Sequence, residues 1–241
     1  VEVVLIGLTR GIENEPILDG REVSRISSRL EDETETEAIR LRHNSNLALK
    51  GNEPGSEGFL LPPSEAAPLL LQKPSLSECL RKYLTGEDLN SNVGSEPSRF
   101  IICFWDWELE KARACAELFD LIEKRVKPDR VSSKGGGATR WWLLRRCPKD
   151  LQKVLGSISR VLVRSQVSEY HMIEALPSEW IFSNMTIVFA FDDNYHFALL
   201  QSNVHEAWVW KNASSLESRN RYTPTDCFET FAFPQAPAEK S

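Results

Sequence analysis

Between Lys124 and Arg164 the chain concentrates side chains that could hold a polyanion: Lys124, Arg125, Lys127, Arg130, Lys134, Arg140, Arg145, Arg146, Lys149, Lys153, Arg160 and Arg164. Asp129 and Asp150 are the acids among them, so this stretch carries +10 in a chain whose total is −6, and the remainder carries −16. A basic stretch against an acidic background is the electrostatic footprint of a nucleic-acid-binding surface. Solvated faces of ordinary helices and strands carry the same residues, so charge alone leaves both readings open. Trp141-Trp142 and the Lys134-Gly135-Gly136-Gly137 loop fall within the stretch.

Patterns for catalysis are missing. A PD-type nuclease holds Mg²⁺ with a carboxylate followed by Glu-x-Lys or Asp-x-Lys, and no such triplet occurs in the sequence. DNA amino-methyltransferases grip the extruded base with an (Asn/Asp/Ser)-Pro-Pro-aromatic loop. The one Pro-Pro here, in Leu61-Pro62-Pro63-Ser64, has the wrong residue on both sides. Gly135 to Gly137 is not a Gly-x-Gly-x-x-Gly fingerprint and reads as a loop tip. His43, His171, His196 and His205 form no metal-binding i, i+4 pair. Cys79, Cys103, Cys115, Cys147 and Cys227 are odd in number and form no Cys-x-x-Cys. That argues against a disulfide framework or zinc cluster and fits a reducing cytosol. Cys147, beside Arg146, reads as a buried structural thiol rather than a reactive one. No apolar run approaches the roughly 18 residues of a membrane span. These residues predict no catalytic site and no metal or cofactor within this chain.

The elements that would position the basic residues follow from periodicity and punctuation. Residues 1–8 read as a buried strand, an unusual opening for a natural chain, which suggests a piece of a longer polypeptide. Asp19-Gly20 between short apolar segments signals a hairpin, and Glu31 to Glu37 is an acidic helix or loop. Residues 43–58, rich in Asn, Gly, Ser and Pro, are the best candidate boundary. A strand at 58–61, a helix from Ser64, a second helix over 77–84 stopped by Gly86, and a strand at 99–104 follow. Asp106 caps an expected helix buried through Leu109, Ala112, Ala116, Phe119, Ile122 and Val126, ended by Pro128. Arg140 to Arg145 reads as a strand, which would put at least one of Trp141 and Trp142 in the core. Pro148 opens a helix. Strands at 161–163, 167–173, 180–182 and 186–191 precede a long helix over 194–211, with Trp208 and Trp210 expected in the core. The fold class is α+β, with a mixed, mostly antiparallel sheet, packed helices and a helical C-terminal segment.

Placed in order, eight segments resemble one family: 58–70 (GFLLPPSEAAPLL), 82–91 (KYLTGEDLNS), 97–107 (PSRFIICFWDW), 125–130 (RVKPDR), 139–142 (TRWW), 161–170 (VLVRSQVSEY), 197–210 (FALLQSNVHEAWVW) and 222–234 (YTPTDCFETFAFP). They look like the C-terminal, target-recognition half of MmeI-like DNA methyltransferases, the adenine-specific modification proteins of type II restriction–modification systems. The match runs over about residues 52–234, and Ala232 stands where the family usually has proline. The resemblance implies that residues 1–50 hold the trailing strands of the methyltransferase domain and an acidic linker. It makes 51–191 the target-recognition domain and 192–241 a helical C-terminal segment. The catalytic loops and the S-adenosylmethionine site would then precede Val1, in a cytoplasmic parent enzyme, with double-stranded DNA and the upstream methyltransferase domain as partners and no membrane.

Physically, Arg and Lys hold phosphates without reading sequence, while Arg at guanine and Gln or Asn at adenine read base edges. The candidates flank predicted loops and strand ends: Lys134, Arg140, Arg145, Arg146, Arg164 and Gln166. Arg140 and Arg164, each beside a strand, are the better base readers, and Lys134 the better phosphate contact. An alternative from another class keeps the same residues as a non-catalytic scaffold docking an acidic surface of the parent enzyme.

Overall fold

A computed structural model describes residues 7, 15–26, 32, 38–132, 139–216 and 219–234. The chain divides into residues 1–39 and 40–241. The strand expected over 1–8 and the acidic run at 31–37 fall almost wholly outside the described residues, and so does the loop at 134–137. In the first unit, β1 (Ile17–Leu18) and β2 (Arg21–Glu22) pair antiparallel, Leu18 opposite Arg21. Asp19 and Gly20 both have positive φ, 50° and 78°. That is the two-residue turn whose twist matches a hairpin and that Asp-Gly favours.

The second unit opens with β3 (Ala48–Lys50), β4 (Leu60–Leu61), α1 (Pro63–Gln72), β5 (Leu80–Leu84), α2 (Gly86–Ser91) and β6 (Arg99–Ile102). Next come α3 (Leu109–Arg113), α4 (Ala116–Arg125), α5 (Lys127–Ser132), α6 (Lys149–Ser157), β7 (Arg160–Ser165), β8 (Val167–Ser168) and β9 (Glu174–Pro177). It closes with β10 (Ile181–Phe182), β11 (Thr186–Phe189), α7 (Asn194–Gln201), α8 (Asn203–Asn212), β12 (Ser214–Leu216) and β13 (Arg219–Arg221). The sheets run β10-β5-β6-β4, β3-β11-β7-β9 and β12-β13-β8. Among the described strands β10 lies parallel to β5 and the other pairings are antiparallel, so the fold is α+β with mixed, mostly antiparallel sheets.

Register explains the two cores around the central sheet. Ala48, Phe189 and Leu162 stand opposite one another, as do Lys50, Ile187 and Arg164, and both rows share a face because side chains repeat every second residue. That face meets Leu200, Val209, Tyr222, Cys227 and Phe228. The alternate residues Val163 and Val188 turn to the other face, with Leu84, Leu151, Leu155 and Trp180. A third core joins β4, β5 and β6 to α1, α4 and the two tryptophans Trp141 and Trp142.

Several expected elements are corrected. Residues 77–84 form a 3₁₀ turn (Pro74–Glu78) and then β5, because β6 and β10 pair with this backbone from both sides. Gly86 starts a helix rather than stopping one. The Thr85 hydroxyl accepts from the Asp88 amide at 3.2 Å while the Asp88 carboxylate accepts from the Thr85 amide at 2.8 Å, a reciprocal cap. The helix expected from Asp106 is broken at Cys115 (φ −90°, ψ 62°), and Pro128 lies in the first turn of α5, where its missing N–H costs nothing. No strand forms over 140–145; those residues are a turn. Trp141 and Trp142 are both buried, Trp142 donating to the Trp107 carbonyl at 3.0 Å. The long C-terminal helix breaks at Ser202, whose hydroxyl caps α8 by accepting from the His205 amide. Trp210 is 45% exposed, not core.

Both expected domain boundaries fall inside this unit. Within the candidate boundary 43–58, β3 is a strand of the central sheet. Past residue 191, β13 pairs with β8, and Tyr222 and Phe228 complete the core of that sheet.

Candidate nucleic-acid interface

The surface that collects cations is built from three distant parts of the chain. Lys50 ends β3, Arg221 ends β13, and Arg146 follows the Trp141–Leu144 turn. Gly51 brings the first of these close to the β10–β11 turn: a Cβ at this position would lie 2.2 Å from the Ser183 carbonyl oxygen and 2.3 Å from that of Phe182. The Asn52 amide and side chain both donate to the Phe182 carbonyl, at 2.6 and 3.2 Å. Glu53 then pairs backbone to backbone with Arg146, at 2.9 and 3.1 Å. The buried Arg130 fastens the same turn, donating to the carbonyls of Leu143 and Pro54. Arg145 and Arg146 are thus exposed guanidinium groups on an anchored turn.

The Glu53–Arg146 backbone pairing holds Arg146 within three residues of Lys50, and Arg221 acts on the same ammonium. Partial burial, and then the charges of Arg221 and Arg146, hold the Lys50 ammonium below its ordinary pKa. Like charges brought together in this way raise the local positive potential, which favours an anion there. Lys50 and Arg221 lie outside the basic stretch 124–164. A sequence window could not find them, because strand pairing rather than sequence proximity brings them to Arg146.

The expected site residues divide sharply. Lys134 lies outside the described residues. Arg140 donates to the Asp106 carbonyl at 3.0 Å, pairs with Glu108 at 3.4 Å and lies over the Trp142 ring at 5.9 Å. Arg145 pairs with Glu53 at 2.8 Å. Both are half-exposed or more, and exposed pairs are worth only about 0.2–1 kcal/mol, so either can exchange partner for a phosphate.

Arg164, expected to read a base, is instead a core residue only 1% exposed. It donates from Nε to the Ser165 carbonyl at 3.1 Å, from Nη1 to His171 Nδ1 at 3.1 Å and from Nη2 to Asn220 Oδ1 at 2.9 Å. Its guanidinium lies 4.4 Å from the Tyr222 ring centroid. The Leu200 carbonyl can only accept, so His171 carries its proton on Nε2, bonded there at 2.6 Å, leaving Nδ1 as the acceptor for Arg164. The strand that would have presented Arg164 turns that side chain inward, under β13.

Gln166 is 2% exposed, and among the described residues its Nε2 has no hydrogen-bond partner. Its backbone joins two sheets, donating to the Met185 carbonyl and accepting from the Tyr222 amide, each at 2.8 Å. Asn220 Nδ2 is similarly unpaired. Among the described residues no cluster of His, Cys, Asp or Glu could hold a metal, and no helix is long and apolar enough to cross a membrane.

The family described as MmeI, target recognition domain, matches residues 35–235, most of the chain. The chain belongs to the MmeI target recognition domain family. Among solved structures, the chain resembles the Type IIL restriction-modification enzyme MmeI in complex with DNA, at 21% identity and a TM-score of 0.70, over 91% of this chain and 29% of that one. It therefore spans less than a third of that enzyme's chain. No curated protein matches. The family match extends through β12, β13 and the residues after them, of which Tyr222, Cys227 and Phe228 lie in the central core.

Proposed function

We propose that this MmeI-type target recognition domain reads a duplex DNA sequence for an adenine methyltransferase domain elsewhere in a cytoplasmic restriction–modification enzyme. S-adenosylmethionine would be bound by that catalytic domain, not by this one. The observation that carries the proposal is the convergence of Lys50, Arg146 and Arg221 from three separate segments onto one cationic surface, in a chain of this family. In this reading Lys50 and Arg221 hold phosphates. Arg145 and Arg146, on the anchored turn beside them, reach toward base edges or backbone. Buried Arg164 and Gln166 position the strands beneath and touch no DNA.

A fluorescence anisotropy titration with duplex oligonucleotides at two salt concentrations tests it. K50A and R221A should weaken binding to all sequences alike, each lowering the slope of log K against log salt by about 1. Salt-independent binding, or affinity untouched by all of K50A, R146A and R221A, would refute the phosphate surface. In the full-length enzyme, R145A with R146A should relax or change the methylated sequence. Unchanged specificity with reduced expression would favour the scaffold alternative instead.

A further inference from the structure

Four of the five cysteines lie in two pairs where β5 begins and β6 ends. The Cys103 amide donates to the Cys79 carbonyl at 2.8 Å, extending the β5–β6 pairing by one step. From there each thiol meets a cysteine of a different segment. Cys79 Sγ lies 3.3 Å from Sγ of Cys115, at the break between α3 and α4. The Cys103 and Cys147 thiols, the latter at the entry to α6, belong to one core and act on each other's ionisation. In both pairs the first cysteine is buried and the second partly exposed. Cys227 is buried in the central core and belongs to neither pair.

We infer that Cys79 with Cys115, and Cys103 with Cys147, are reversible disulfide-forming sites that a peroxide closes and a dithiol reductant reopens. The partly exposed thiolate attacks a peroxide oxygen; an S–O bond forms, the O–O bond breaks and hydroxide leaves. The buried partner, as thiolate, then attacks that sulfur; the S–S bond forms, the S–O bond breaks and a second hydroxide leaves. The two thiol protons convert both hydroxides to water. Each pair thus loses two electrons and two protons to one hydrogen peroxide. Cys147 is the better first nucleophile, since the neighbouring Cys103 thiol, and then Gln152 Nε2 donating to its sulfur at 3.0 Å, hold its thiol below the ordinary value. Closing the second pair would tie the turn bearing Arg145 and Arg146 to the end of β6.

The full chain, treated with dilute hydrogen peroxide, alkylated and digested without reduction, should give Cys79–Cys115 and Cys103–Cys147 linked peptides, with Cys227 alkylated. Dithiothreitol should return all five thiols to alkylation. Cys115→Ser should remove the first link alone and Cys147→Ser the second alone. The wild-type map decides the matter even if a variant fails to fold. Absence of either linked peptide, a Cys79–Cys103 link in their place, or oxidation of Cys115 and Cys147 only to sulfinic or sulfonic acid would overturn the assignment.

Discussion

A single guanidinium can serve as a contact or as a keystone, and Arg164 shows what separates the two. Its three hydrogen-bond acceptors, Ser165 O, His171 Nδ1 and Asn220 Oδ1, are neutral, and burial disfavours its charge. Such a residue persists because its removal leaves buried acceptors unpaired and a cavity against Tyr222. Arg164→Ala is therefore expected to lower unfolding stability by roughly 3 kcal/mol or more, read as a fall in the urea midpoint. Arg164→Lys should also destabilise, since one ammonium cannot reproduce a planar fork with three partners and a ring beneath it. Arg146→Ala, on the exposed turn, should leave the midpoint within about 0.5 kcal/mol. Stability of R164A equal to wild type would mean that the network is ornamental. Nothing in the local sequence distinguished Arg164 from Arg146, because the burying partners stand at Asn220 and Tyr222, far along the chain. Charge was legible there; burial was not.

Helices and strands were legible where local chemistry decides them. Asp19-Gly20 announced its hairpin, Pro148 its helix, and the apolar run at Arg99–Ile102 its strand. They were misread where a partner strand overrides propensity: Leu80, Tyr83 and Leu84 have helical spacing, yet β6 and β10 hold them extended. Ser202 divided a continuous apolar pattern by capping α8. The candidate surface depends on one such element contact, the passage of residues 51–53 against the β10–β11 turn. Gly51→Ala would drive a methyl group to within 2.3 Å of two backbone carbonyl oxygens, which cannot yield as a flexible side chain can. The expected cost exceeds about 2 kcal/mol, together with weaker DNA binding from displacement of Lys50 relative to Arg146. Thr85→Ala, which removes a side-chain helix cap and adds no atom against that backbone, should cost about 1 kcal/mol and leave binding unchanged once the protein is folded. Equal effects of the two substitutions on DNA affinity would break the link between the 51–53 passage and the surface.

Across the second unit as a whole, the central sheet, the C-terminal helices and the tail close on one buried polar cluster: Arg164, His171, His205 and Tyr222. His205 is fully buried; its Nδ1–H donates to the Leu200 carbonyl at 2.9 Å and its Nε2 faces the Tyr222 hydroxyl at 3.3 Å. Burial first, and then the charges of His171 and Arg164, push its pKa down to about 3; burial and Arg164 lower that of His171 as well. Glu206 is the acid whose charge reaches this cluster, and it offsets only part of the effect. In the unfolded chain both imidazoles take up a proton near the ordinary value of about 6.5. Between there and about pH 3 the unfolded state holds more protons than the folded one, so stability rises with pH and is lost on acidification. The contribution is fully present above about pH 7 and shrinks as pH falls through 6 and 5. Urea midpoints measured at pH 7.5, 6 and 5 should therefore decline, earlier than the protonation of exposed carboxylates near pH 4 would require. His205→Phe, which keeps a ring but cannot titrate, should flatten the decline whatever its own effect on stability at pH 7.5. A wild-type midpoint constant from 7.5 to 5, or an equally steep decline in His205→Phe, would show that protonation of this cluster does not govern the acid side of stability.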